Sequence, residues 1–100
     1  MNIETKTLPQ NLDAAQRVEE LATAAEAHDG FAPLSEQFLL GLRDERLGHH
    51  HLLAIEDGEV AGMAALDGQT VELFVGVGHR GRGVGQALVD ALPTSPQIWA

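Results

Sequence analysis

The strongest constraint on this sequence is a glycine-rich stretch, residues 79–87, which reads HRGRGVGQA. An apolar, strand-like run ends just before it, and a helical apolar pattern with Val84, Leu88 and Val89 begins inside it. The first amides of a helix have no partner within the helix, and the helix dipole adds positive charge at that end. Glycines let phosphate oxygens approach such amides closely. The stretch therefore predicts a loop that binds a pyrophosphate at a helix N-terminus.

Two other kinds of phosphate-binding loop fit the spacing poorly. The dinucleotide fingerprint needs a third glycine where Gln86 stands, and it lies within a unit of parallel strands. A Walker loop needs a lysine, which the stretch lacks. The remaining alternative is a glycine-rich turn without a ligand, in which Arg80 and Arg82 only aid solubility.

Composition limits the class of partner. The chain has 100 residues, enough for one small domain, and 44% of them are hydrophobic. The formal net charge of -9 argues against nucleic acid and anionic membranes as partners. Two of the six basic residues flank the loop glycines, which favours a small anionic ligand. No signal-peptide pattern or membrane-spanning run is present, so we expect a cytoplasmic protein.

The apolar pattern predicts an α/β chain of the mixed α+β type, with elements in the order β-α-α-β-β-β-α-β. Strands are expected over residues 2–8, 52–56, 60–66, 70–77 and from 97. A first helix is expected to begin with Asn11 or Asp13 as its cap and to stop at Asp29-Gly30, a second to run from Ser35 to about 47, and a third from 84 to before Pro93. Asp57-Gly58 and Asp67-Gly68 predict tight turns, so the middle strands should form an antiparallel meander. Because the last strand begins close to Ala100, we expect residues 1–100 to be a single partial domain, the N-terminal part of a longer protein.

The glycine stretch and the order of elements together resemble the GNAT family of N-acetyltransferases. Residues 80–85, RGRGVG, match the family signature Q/R-x-x-G-x-G/A, and the predicted elements follow the family's order over the whole chain. The resemblance implies a GNAT-like acyl-CoA N-acyltransferase fold that stops before its final helix and strands. It also implies that acetyl-CoA is the cosubstrate and that its acetyl group is transferred directly to an amine.

The same resemblance assigns cofactor-binding residues by position. In the family, a bulged fourth strand binds the pantetheine arm and the acetyl carbonyl through backbone amides, and the loop amides hold the pyrophosphate. Carried onto this sequence, the cofactor-binding residues are Leu73, Phe74 and Val75 in the strand, and Arg80, Gly81, Arg82, Gly83, Val84, Gly85 and Gln86 in the loop.

A second stretch narrows the resemblance. Residues 28–39, HDGFAPLSEQFL, resemble the N-terminal half of tandem-domain GNAT members that acetylate the cysteinyl amine of a cysteinyl-glucosaminyl-inositol. This implies a small-molecule amine substrate, a C-terminal GNAT domain in the same chain, and a substrate-binding role for Glu36. Alternatively, Glu36 only complements the dipole at the first turn of a helix. A domain that lacks its last strands exposes a sheet edge, and a dimer of the 100-residue chain is one way to cover it.

Catalytic groups are harder to assign. Family members use a base to deprotonate the amine and often a tyrosine acid, but this chain has no tyrosine. Glu72, near the start of the fourth strand, is the candidate base, and the alternative is a solvent-facing strand residue. Two further hypotheses stay open: a noncatalytic module that holds CoA or supports a partner domain, and a GNAT enzyme that acts on another amine.

The remaining histidines do not predict a metal site. His49, His50 and His51 enter a strand, so they point to alternating faces and cannot all bind one ion. The chain also has no cysteine to serve as a ligand. His28 and His79 are expected at the surface, with His79 close to the phosphates.

Overall fold

The computed structural model describes residues 1–6, 8–68 and 70–92. One antiparallel sheet has the strand order β1-β2-β3-β4, with β1 at Asn2–Lys6, β2 at His50–Glu56, β3 at Glu59–Asp67 and β4 at Thr70–Val75. The helices are α1 at Leu12–Asp29, α2 at Glu36–Gly41 and α3 at Val84–Ala91. The predicted α+β class and order of elements are confirmed as far as α3. The strand predicted from residue 97 lies outside the described residues.

The sheet lies between two layers of helices. Helices α1 and α2 cover one face, where Leu53, Met63 and Phe74 are buried. Helix α3 covers the other face, where Leu52 and Ala64 are buried. Successive side chains of a strand point to opposite faces, so the two layers together bury residues 61–66 of β3 without interruption. With both faces covered, the ends of the sheet and its two edge strands, β1 and β4, are the places left for a site in the described part of the chain.

Helix α1 forms where the apolar pattern predicted it. Its buried side chains recur every three or four residues and are mostly small, which lets the helix pack closely on the sheet: Ala15, Val18, Ala22 and Ala25. The helix ends at Asp29 because Gly30 adopts the left-handed conformation, with φ 85°, and its amide donates to the Glu26 carbonyl at 2.9 Å. None of the described helices is both long and apolar enough to cross a bilayer.

Both predicted hairpin turns are confirmed. Asp57 and Gly58 have φ of 53° and 81°, a pair of left-handed residues that matches the twist of β2 and β3. Gly68, with φ 60°, follows Asp67 in the turn between β3 and β4. These turns bring the C-terminal ends of β2 and β4 to the same end of the sheet, which we call the loop end.

The second predicted helix is shorter than expected. It ends at Gly41, where any side chain would collide with the ring of His49. A separate 3₁₀ turn, Glu45–Leu47, follows because the Asp44 carboxylate accepts a hydrogen bond from the Arg46 amide at 3.0 Å. The prediction of one helix up to about residue 47 is therefore wrong, although Ser35 does precede its first turn.

Two predicted strand ends are also wrong. The first strand does not include Leu8, which begins a 3₁₀ turn, Leu8–Gln10, and is fully buried in the core. The fourth strand ends at Val75, and a 3₁₀ turn, Val77–His79, replaces its last predicted residues. That turn redirects the chain from β4 into the glycine-rich stretch.

Candidate functional site

The glycine-rich stretch forms a loop whose shape depends on two left-handed residues. Gly81 has φ 78°, and Gly83, the residue just before α3, has φ 82°. A Cβ at either position would have no described atom within 4 Å. Glycine is therefore required by the backbone conformation rather than by crowding, and the space beside each glycine is open.

The loop presents the free amides of a helix N-terminus. The first hydrogen bond of α3 runs from the Ala87 amide to the Gly83 carbonyl at 3.0 Å. The amides of Val84, Gly85 and Gln86 precede that bond, so the helix has no carbonyl for them. They lie at the positive end of the α3 dipole. This arrangement suits an anion such as a pyrophosphate.

The neighbouring strand offers backbone groups rather than side chains. The Phe74 side chain is buried on the α1 face, and those of Leu73 and Val75 pack toward α3. The Gly76 amide donates to the Ala61 carbonyl of β3 at 2.7 Å. Backbone groups alternate along a strand, so those of Val75 and Leu73 face away from β3, toward the edge of the described sheet. A ligand along this edge would meet their backbone groups.

The bulge that the family resemblance implies for the fourth strand is absent from its pairing with β3. The register is regular from Gly62 opposite Val75 to Asp67 opposite Thr70. The irregularity lies instead between β2 and β3, where the register shifts between Ala54 and Ile55.

Each of the three guanidinium nitrogens of Arg80 donates one hydrogen bond within the chain. Its two terminal nitrogens donate to the two carboxylate oxygens of Asp29 at 2.9 and 2.7 Å, and its Nε donates to the Val75 carbonyl at 3.4 Å. Hydrogen bonds from Arg80 and then from His28 hold the pKa of the Asp29 carboxyl far below its usual range. Arg80 therefore joins the loop to the C-terminal end of α1 and to the end of β4.

Arg82 and His79 share a different carboxylate. Arg82 lies 3.4 Å from the Glu56 carboxylate with 58% of its side chain exposed, and His79 contacts the same oxygen at 3.0 Å. The hydrogen bond from His79 and the charge of Arg82 lower the pKa of Glu56. His79, expected at the surface, is only partly exposed, with 20% of its side chain accessible.

Glu72 contacts Ser35, the residue that precedes Glu36 in the chain. The Ser35 amide donates to the Glu72 carboxylate at 2.8 Å, which attaches the start of α2 to β4. Glu72 is half-buried and shares the α1 face of the sheet with Phe74, so the solvent-facing interpretation does not describe it. Glu36, the next residue after Ser35, is exposed on the first turn of α2.

The two attachments together fix the segment between α1 and α2. The segment leaves Asp29, which binds Arg80 at the end of β4, and reaches Ser35, which binds Glu72 near the start of β4. Residues 30–34 therefore run alongside the strand that the family resemblance assigns to the cofactor. The stretch singled out by its sequence, residues 28–39, lies next to the candidate site.

The histidine run lies at the opposite end of the sheet from the loop. His49 and His51 are buried and His50 is exposed, as the alternation predicted. The His49 ring packs against Phe38 with ring centroids 4.8 Å apart. Within the described residues, neither ring nitrogen of His49 or His51 has a hydrogen-bond partner. No group of three or more metal-ligating side chains occurs in that part of the chain.

A small cavity of about 180 Å³ lies between α1 and the β2–β3 hairpin, behind His79. It is smaller than the pockets of roughly 300–1,000 Å³ that hold small ligands, and it does not reach the β4 edge. The lining of this cavity includes none of the strand and loop residues that the family resemblance assigns to the cofactor.

Sequence reasoning missed Asp29 and Glu56 as partners of the loop. Asp29 was interpreted only as part of a helix stop, yet it contacts a residue 51 positions later. The one signal for these contacts in the sequence is charge. The loop has two arginines, and the two elements that approach it, α1 and β2, each end in a carboxylate. No local periodicity links such pairs.

Curated proteins similar to this chain are mycothiol acetyltransferases. That of Corynebacterium aurimucosum is 82% identical over 100 residues, which is all of this chain and 33% of the relative. That of Corynebacterium glutamicum is 41% identical over 98 residues, 98% of this chain and 33% of the relative. That of Thermomonospora curvata is 51% identical over 78 residues, 72% of this chain and 26% of the relative.

These relatives agree with the resemblance of residues 28–39 to one branch of a larger family. The chain spans about a third of the length of the curated relatives it matches. The model of the acetyltransferase (GNAT) family matches residues 12–93, which include α1, the whole meander from β2 to β4, the glycine loop and α3. The chain belongs to the GNAT family of acetyltransferases.

Proposed function

We propose that this chain is the acetyl-CoA-binding, N-terminal GNAT domain of a mycothiol acetyltransferase. Such an enzyme acetylates the cysteinyl amine of a cysteinyl-glucosaminyl-inositol. The observation that carries the proposal is the loop itself: Gly81 and Gly83 hold free amides at the N-terminus of α3, directly after a strand with backbone groups at its edge. The 82% identity to a mycothiol acetyltransferase supports the choice of substrate.

The residues present fit the cosubstrate in two places. The open space beside Gly81 and Gly83 leaves the amides of Val84 and Gly85 accessible to a pyrophosphate. The edge-facing amide and carbonyl of Leu73 and the edge-facing amide of Val75 would pair with the amide groups of a pantetheine arm, as a neighbouring strand would. Acetyl-CoA supplies the activated thioester when it is bound, and these groups would orient it.

The residues that would bind the acceptor amine and remove its proton lie on the same side of β4. Residues 30–34 run alongside the strand, and Glu36 is exposed at the end of that segment, where it would meet a cationic amine. In Glu72, one carboxylate oxygen accepts from the Ser35 amide, and the other is the atom that would take a proton from the amine.

The same proposal also implies a partner domain and a cellular location. A second GNAT domain in the same polypeptide would be the main partner, which agrees with the chain spanning about a third of its relatives. We place the reaction in the cytoplasm, with no nucleic acid or membrane partner, in agreement with the net charge of -9. The β4 edge of the described sheet would be covered by the rest of the domain or by a second copy of this chain.

A noncatalytic CoA-binding module is the second candidate. The observation that favours it is the absence of tyrosine from all 100 residues, since a tyrosine is often the acid for the departing thiolate. Turnover separates the two candidates. Release of CoA thiol from acetyl-CoA in the presence of a cysteinyl amine, by the 100-residue chain alone, would exclude the module. CoA binding without turnover would support it.

Calorimetric titration of the 100-residue chain tests the binding proposal. Acetyl-CoA and CoA are expected to bind, and pantetheine, which lacks the pyrophosphate, is expected to bind at least about tenfold more weakly. Equal affinity for CoA and pantetheine would contradict a role for the loop. No binding of CoA by the folded chain would contradict the proposed function.

A further inference from the structure

We propose that Asp29 is a positioning residue for the cofactor loop and acts through Arg80, which braces the loop instead of binding phosphate. This inference rests on the proposed function, since it concerns the same loop. It assigns a role to Asp29-Gly30, a motif that the sequence indicated only as a helix stop.

The geometry of Arg80 is that of a brace. Its two terminal nitrogens form a fork on the Asp29 carboxylate at 2.9 and 2.7 Å, and its Nε reaches the Val75 carbonyl at 3.4 Å. Paired fork geometry is the strongest and most directional arrangement available to an arginine. To bind a phosphate with its fork, Arg80 would have to release both Asp29 oxygens.

The other end of the brace is fixed by α1. Asp29 is the last residue of that helix, and the Gly30 amide closes the helix on the Glu26 carbonyl at 2.9 Å. Only 20% of the Asp29 side chain is exposed, compared with 41% for Arg80. The hydrogen bonds from Arg80 and His28 also lower the pKa of Asp29, so its carboxylate stays charged at a pH where an ordinary aspartate is protonated. A rigid, charged anchor therefore holds the residue that precedes Gly81.

Arg82 differs from Arg80 in each of these respects. Its single hydrogen bond to Glu56 is 3.4 Å long, and 58% of its side chain is exposed. His79 also contacts that carboxylate oxygen, at 3.0 Å, so Glu56 keeps a partner if Arg82 moves. Arg82 is therefore the arginine that can turn toward a phosphate, and it serves as the matched comparison for Arg80.

The positioning role predicts a change in CoA affinity that is opposite in sign to the change expected from charge alone. Asp29→Asn removes a negative charge close to the loop, which by charge alone should tighten the binding of an anionic ligand. If Asp29 positions the loop, the same change releases Arg80 and weakens CoA binding by about tenfold, because the free amides are no longer held in place. Arg80→Lys keeps the charge but loses the fork, so it should weaken binding as well.

The decisive experiment exchanges the two charges in the 100-residue chain. Calorimetry would compare CoA binding by the wild type, Asp29→Asn, Arg80→Asp, Arg80→Lys, Arg82→Gln and the double variant D29R/R80D. We expect Asp29→Asn and Arg80→Asp to weaken CoA binding about tenfold, and D29R/R80D to return within about threefold of the wild type. Arg82→Gln should weaken binding of CoA without changing that of pantetheine.

Three affinity results would each overturn the proposal. Tighter CoA binding by Asp29→Asn would show that Asp29 affects CoA only through its negative charge. Affinity in D29R/R80D as low as in Arg80→Asp would show that Arg80 binds phosphate directly, and wild-type affinity in Arg80→Lys would show that the fork is not needed.

Amide hydrogen exchange at Ala87, whose amide donates to the Gly83 carbonyl and so reports on the loop, separates this inference from the proposed function. We expect faster exchange in Asp29→Asn and Arg80→Asp, and wild-type exchange in D29R/R80D, whether or not CoA binds. Unchanged exchange in Asp29→Asn would overturn the positioning role even if CoA binds the wild type. Absence of CoA binding in the wild type, with exchange changed as expected, would overturn only the proposed function.

Discussion

The polar side chains at the two ends of the sheet differ in exposure and in pairing. At the loop end, Asp29, Glu56, Arg80 and Arg82 are partly exposed and paired with opposite charges. At the other end, which we call the histidine end, His49 and His51 are buried and their ring nitrogens have no hydrogen-bond partner in the described part of the chain, although His49 Nε2 lies 3.5 Å from the Asp67 carboxylate. The first arrangement holds a backbone shape in place and the second fills a core. Substitutions should therefore affect ligand binding at the loop end and stability at the histidine end.

Gly41→Ala at the histidine end should have the largest effect on stability. A Cβ at this position would collide with the His49 ring, which is itself packed on Phe38. We expect the free energy of unfolding to fall by about 2–3 kcal/mol, as for other overpacked cores. Denaturant unfolding measures the loss, and CoA affinity of the folded fraction should not change.

The matched control combines Gly41→Ala with His49→Ala, which removes the ring that the new Cβ would meet. Removing the ring makes room for the new methyl group, so Gly41→Ala should cost less in the His49→Ala background than in the wild type. An equal cost in both backgrounds would mean that helix α2, rather than the His49 ring, sets the requirement for glycine.

Acid should destabilise the chain through His51. Burial, followed by the charges of His49 and His50, lowers the pKa of His51 to about 4 from its usual 6.5. Between these values the unfolded chain binds a proton that the folded chain excludes, so the free energy of unfolding falls as the pH falls. The slope is at most about 1.4 kcal/mol per pH unit, which gives a total of about 2–3 kcal/mol from pH 6.5 to pH 4.

Urea unfolding at several pH values measures this loss, and His51→Leu isolates it. The variant should flatten the pH dependence between pH 6.5 and pH 4, because it removes the buried imidazole. His50→Gln, which changes an exposed imidazole on the opposite face, should keep most of the wild-type loss, because burial lowers the pKa of His51 more than the charge of His50 does. An unchanged slope in His51→Leu would contradict the burial of a neutral imidazole.

Glu72→Gln should have the smallest effect on the fold. The amide oxygen of glutamine can still accept from the Ser35 amide, so we expect stability and CoA affinity to change by less than about 0.5 kcal/mol. If Glu72 is the base, acetyl transfer by an active chain should fall by about 10²-fold or more with CoA binding intact. Unchanged turnover would leave Glu72 with the Ser35 contact as its role.

Features with a local pattern were predictable from the sequence. The glycine loop, the two Asp-Gly turns and α1 follow from spacing and turn chemistry, which operate over a few residues. The contact between Arg80 and Asp29 spans 51 positions, and that between Arg82 and Glu56 spans 26, so neither follows from spacing. The close approach of the His49 ring to Gly41 likewise depends on the path of the chain between α2 and β2, which no local periodicity gives.

The central claim is that the backbone of the glycine loop binds CoA, and one pair of variants tests it most directly. Gly83 and Gly48 both have a left-handed backbone, with φ 82° and 69°, and a Cβ at either would have no described atom within 4 Å. Glutamate at either position should therefore cost similar stability, roughly 1–2 kcal/mol. Gly48 precedes β2 at the histidine end, away from the loop.

Calorimetric titration with CoA should show binding by the wild type and by Gly48→Glu, and none by Gly83→Glu, because the new side chain and its charge would stand where the phosphates bind. CoA binding by folded Gly83→Glu with wild-type affinity would contradict the account.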